Sequence, residues 1–84
     1  MPPVIRREHL ERLLQSPDRD AVLVISEGRA AVVPEAATRG GEHEGALLIT
    51  SRDALIAEFD AGANMEQLDQ LAQRLDVAYR DMGG

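Results

Sequence analysis

The stretch AVLVISEGRAAVVP, residues 21–34, constrains the fold more than any other part of the chain. It reads as two short β-strands around a Glu27-Gly28 turn. A strand with one wet face alternates apolar and polar residues. These strands do not: Val22, Leu23, Val24 and Ile25 are all apolar, and so are Ala30, Ala31, Val32 and Val33. With a two-residue loop, Leu23 and Ile25 share a face with Ala30 and Val32, while Val22 and Val24 share the other with Ala31 and Val33. Both faces then need cover. Glu27 is a weaker choice than Asn for such a loop, because the tight hairpin turn demands positive φ. A longer loop with Gly28 left-handed is the alternative.

Cover is scarce in a chain of 84 residues. One domain of this length buries roughly 60–65% of its unfolded surface. There is no cysteine, so neither a disulfide nor a thiolate zinc site adds stability. Phe59 and Tyr79 are the only aromatic residues, which leaves Leu, Val, Ile and Ala to build the core.

The flanking segments supply helices. Pro2-Pro3 suits the first turn of a helix, where a missing N–H costs nothing. Leu10, Leu13 and Leu14 form an i, i+3, i+4 stripe, and Glu8 and Arg12 stand at i, i+4 for surface support. Pro17 ends this helix by pushing the residue before it out of the α region. Residues 34–45, PEAATRGGEHEG, form a loop by composition, long for so small a domain and therefore a candidate functional segment. ALLIT reads as a third strand without alternation. Thr50 or Ser51 then caps a helix with Asp53 in its first turn, Leu55, Ile56 and Phe59 on its apolar face, and Gly62 at its end. Asn64 and Gln67 make an N-x-x-Q capping pattern for the last helix.

That helix, about residues 65–82, is the most regular element. Leu68, Leu71, Leu75, Ala78 and Met82 are spaced 3, 4, 3, 4, an a/d seam of two heptads. Met65, Ala72 and Tyr79 widen the seam, and Asp69, Gln70, Gln73, Arg74, Asp76, Arg80 and Asp81 lie opposite. The seam either packs on the chain's own sheet or joins a second copy.

The same two options hold for the sheet. The first helix covers one face and the last two the other, or helices cover one face and a second copy of the chain the other. An uncovered apolar face invites association, and the reading adopted is that another copy supplies part of the cover.

No constellation points to catalysis. Ser16, Ser26, Thr38, Thr50 and Ser51 have the settings of cap or turn residues. His9 lies at the edge of the first helical stripe. His43 sits between Glu42 and Glu44, but a metal site needs three or four converging ligands and nothing nearby completes the set. RGGEHEG lacks the phosphate-loop pattern. Neither a cofactor nor a metal is expected. The net charge of −6 weighs against nucleic acid. Residues 1–20 are neutral, with four Arg against four acids, and the rest of the chain carries the deficit. The absence of Lys is read as codon bias in a GC-rich genome. No run approaches a membrane span and no signal-like apolar region opens the chain, so a cytoplasmic bacterial protein is expected.

The segment LERLLQSPDRDAVLVISEGRAAVVPEAA resembles the prevent-host-death/YefM type of antitoxin over residues 10–37. The matching features are Leu10, Leu13 and Leu14, the run from Val22 to Ile25, Gly28-Arg29, and Ala31 to Pro34. The resemblance implies a dimer that binds operator DNA with its N-terminal half and a toxin with its C-terminal segment. Arg6, Arg7 and Arg12 then face phosphates.

These observations converge on a single small α+β domain, residues 1–84, in the order α-β-β-β-α-α, with a three-stranded, mainly antiparallel sheet. The expected function is that of a non-enzymatic, acidic interaction module that forms a homodimer and binds a protein partner. Its candidate contact residues are Leu68, Leu71, Leu75 and Met82 on the last helix, and Val22, Val24 and Val33 on the sheet. The alternative is an antitoxin-like DNA-binding regulator.

Overall fold

The computed structural model describes residues 3–40, 43, 45–59, 62 and 64–82. The elements are helix α1 (Arg7–Gln15), strands β1 (Ala21–Ser26) and β2 (Arg29–Pro34), a 3-10 turn (Glu35–Thr38), strand β3 (Leu47–Ser51), and helices α2 (Arg52–Glu58) and α3 (Met65–Asp81). The α-β-β-β-α-α order expected from the sequence is the order found.

The sheet is antiparallel in the order β2-β1-β3. The hairpin closes through two residues, Glu27 at φ 54° and Gly28 at φ 78°, with Ser26 opposite Arg29. Positive φ at both positions is the type I′ geometry, whose twist matches that of the flanking strands. The register pairs Leu23 with Val32 and Val24 with Ala31. β1 is therefore central, and a central strand is covered on both sides. This is why residues 21–25 are all buried and why no alternation is visible there. On β3 a bulge at the Leu23/Val24 step of the pairing resets the register, so that Val24 faces Leu48 and Leu23 faces Thr50.

All three helices lie on one side of the sheet. Leu10 and Leu13 of α1, Leu55 of α2, and Leu68 and Ala72 of α3 form a single cluster with Ala21, Leu23 and Ile25 of β1. Val32 of β2 and Leu47 and Ile49 of β3 pack against it. Each fully buried leucine contributes about 1.5–3 kcal/mol. The arrangement with α1 on one face and α2 and α3 on the other is not the one adopted, because α1 packs directly on α3 and α2. The result is a two-layer slab measuring 34 × 31 × 16 Å.

The opposite face carries Val22 and Val24, which are 4% and 0% exposed and stand outside the helix-side cluster. β2 and β3 both run antiparallel to β1 and flank it, so the connection between them has to pass from one edge of the sheet to the other. Ala37, Thr38, His43 and Ala46 along it are half-buried.

Two helix starts follow local chemistry read from the sequence. The Ser51 Oγ accepts the Ala54 N–H at 3.1 Å and caps α2. At α3, Asn64 Oδ1 accepts the Gln67 N–H at 2.8 Å, and Gln67 Oε1 accepts the Asn64 N–H at 3.0 Å, completing a reciprocal box. The third start differs from expectation. α1 begins at Arg7, not at the prolines, because Val4 and Ile5 are held outside the helix by a distant carboxylate; Pro2 lies outside the described residues. The i, i+4 ion pair on α1 joins Arg7 and Glu11 at 3.4 Å, in place of the expected Glu8–Arg12 pair.

Candidate interaction surface

α3 divides its side chains between two destinations. Leu68 is 5% exposed and sits in the core with Ala72, while Leu71, Leu75 and Tyr79 are half-buried against it. Of the expected seam, Ala78 and Met82 are at the surface, Met82 at 67% exposure beyond the last turn. Leu68 therefore has almost no surface to offer a partner. The physical reason is that the seam is the face that docks α3 against α1 and the shared core. Met65, expected on the apolar face, is exposed.

The sheet candidates divide in the same way. Val22 and Val24 are closed inside the chain, and Val33 is half-buried on β2. The apolar side chain that remains open there is Leu48 of β3, opposite Val24 and 57% exposed.

The outward face of α3 carries Gln70, Arg74, Val77 and Asp81 at spacings of 4, 3 and 4. These residues form one exposed stripe, and with Gln73 and Ala78 they line a shallow depression. Val77, 54% exposed, is the single large apolar side chain among them. Arg74 reaches Glu58 at 3.5 Å, both ends being exposed. Among the described residues no cation lies within ion-pair distance of Asp81. Sequence reading passed over Val77 because it fell on the polar side of α3. The signal available was its place between oppositely charged residues one turn away on either side.

Beside this stripe, α3 meets the N-terminal segment in a groove of about 500 Å³. Its inner wall holds Asp76, 4% exposed. Oδ1 accepts the N–H groups of Val4 at 2.8 Å and Ile5 at 3.1 Å, and Oδ2 pairs with Arg80 at 2.9 Å. The carboxylate is thus fully committed. Asp76 was expected on the polar face of α3, but the N-terminal segment folds over it.

The cations that the antitoxin resemblance assigns to phosphates differ in exposure and pairing. Arg6 and Arg12 are exposed, whereas Arg7 lies 3.4 Å from both Glu11 and Asp69. His9 Nδ1 accepts the Arg6 N–H at 2.9 Å, and burial lowers its pKa from 6.5. Several hydroxyls are occupied locally: Ser51 caps α2, Ser16 Oγ accepts the Asp18 N–H, and Thr38 Oγ1 donates to the Glu35 carbonyl. His43 is half-buried, and Glu42 and Glu44 lie outside the described residues. Among the described residues no three His, Asp or Glu side chains converge on a metal-sized site, and no helix is long and apolar enough to cross a membrane.

No protein family, no curated protein and no solved structure matches the chain.

Proposed function

We propose that the protein works by binding rather than by catalysis, as a small acidic interaction module that pairs with a second copy of itself and then engages a protein partner. The observation that carries this reading is surface area. The chain exposes 5622 Å². A compact monomer of 9.2 kDa exposes about 4,900 Å². A slab only 16 Å thick has this excess because so short a chain builds two layers and no third. Large apolar side chains left outside, among them Leu48, Val77 and Met82, give that surface something to bury. The net charge of −6 selects a further partner with a basic face.

Light scattering over a concentration series tests self-association. The expected mass rises with concentration toward twice the 9.2 kDa of one chain. A mass that stays at that of one chain up to the highest concentration reached overturns the homodimer.

A further inference from the structure

We infer that the copies meet through the outer face of α3, as an antiparallel helix pair with the twofold axis between Val77 and Ala78 and Arg74 of each chain opposite Asp81 of the other. This rests on the self-association proposed above and names its surface.

The argument is one of self-complementarity. In a twofold dimer the same patch faces itself, so each residue meets its mirror position along the helix. The exposed stripe Gln70–Arg74–Val77–Asp81 has its one large apolar side chain near its centre, 54% exposed. Arg74 lies three residues before Val77 and Asp81 four residues after. When two such helices cross antiparallel between Val77 and Ala78, each Arg74 comes opposite an Asp81, and the match is made twice. A parallel crossing at the same point sets Arg74 on Arg74 and Asp81 on Asp81, which is repulsive at both ends. The charge pattern therefore selects one orientation.

Both charged groups are available. Among the described residues, Arg74 is held only by an exposed contact with Glu58 at 3.5 Å, of a kind worth little in water. Neither side chain supports the fold: both are exposed on the side of α3 turned away from the sheet. Val77 also lines the neighbouring groove, so its apolar surface continues toward Pro3 and Ile5.

The test is charge reversal, followed by sedimentation equilibrium and circular dichroism. Arg74→Asp and Asp81→Arg each put like charges face to face twice. Each is expected to weaken the wild-type dimer on the order of tenfold or more while leaving the helical signal unchanged. The double variant Arg74→Asp/Asp81→Arg restores opposite charges and is expected to dimerise within about threefold of wild type. A dimeric wild type that the single reversals leave unchanged, or whose loss the double variant does not rescue, overturns this surface and leaves self-association standing. A wild type monomeric at every concentration overturns self-association, and this surface with it.

Discussion

The Asp76 carboxylate accepts the backbone N–H of Ile5 at 3.1 Å, joining residues 71 positions apart in the chain. The same oxygen takes the Val4 N–H at 2.8 Å, and the other faces Arg80. Ile5 is 1% exposed and belongs to the core, so this carboxylate decides whether the first described residues dock or float. Asp76→Ala strands two N–H groups and frees Ile5. It is expected to cost about 2–4 kcal/mol and to lower Tm by at least about 10 °C. Asp76→Asn keeps an acceptor oxygen and loses only the charge, so about half of that loss is expected. Thermal unfolding of both variants checks the order; equal losses would mean that the ion pair, and not the N–H groups, is what matters.

His9 makes stability depend on pH. Its Nδ1 accepts the Arg6 N–H at 2.9 Å, which requires the ring nitrogen to be unprotonated. Burial lowers its pKa below 6.5; Glu8 opposes this, while Arg12 and Arg6 reinforce it. The unfolded chain therefore binds the proton more readily than the folded one. The stabilisation is complete above the unfolded value of 6.5 and is lost as pH falls through the lower folded value. Urea midpoints measured from about pH 7.5 down to about pH 5.5, above the ordinary carboxylate range, should fall. His9→Gln should flatten the slope. A slope unchanged in that variant assigns the effect to other groups.

The hairpin turn is strained at one residue and relaxed at the other. Glu27 holds φ 54° although it gains nothing from that conformation, while Gly28 at φ 78° is at ease. Glu27→Asn creates the preferred Asn-Gly pair and is expected to stabilise by about 0.5 kcal/mol. Gly28→Ala meets no neighbour within 4 Å, so its expected cost of about 1–2 kcal/mol is purely conformational. Denaturant midpoints of the two variants should move in opposite directions.

What the sequence made legible was local. The Asn64–Gln67 box formed as read, Ser51 and not Thr50 provides the α2 cap, and the hairpin took the two-residue loop, one of the two left open; each depends on residues within a few positions of one another. The apolar runs of β1 rightly announced a strand covered on both faces. The origin of the cover was not legible, because Val22 and Val24 are closed off by the chain's own fold, a matter of which side the helices take. Asp76 was misplaced for the same reason. On a helical wheel it borders Leu68 and Ala72, and only the return of the N-terminal segment from across the chain makes that border an interior. Val77 was passed over because a lone valine among charges carries no periodic signal; its meaning comes from Arg74 and Asp81, which stand symmetrically about the Val77–Ala78 step.

The two faces of α3 give opposite outcomes on substitution. Leu68→Ala empties a site 5% exposed in the core and is expected to cost about 2–4 kcal/mol through lost burial and a residual cavity. Val77→Glu changes a side chain 54% exposed and is expected to shift stability by no more than about 0.5 kcal/mol. Solution mass should respond in the reverse order, with Val77→Glu driving the protein toward monomer while it stays folded. Urea unfolding and light scattering on the same samples separate the two quantities. If Leu68→Ala were to keep full stability and lose the dimer, the leucine seam and not the outer stripe would be the surface between copies, and α3 would pack on α1 and the core less firmly than the burial of Leu68 indicates.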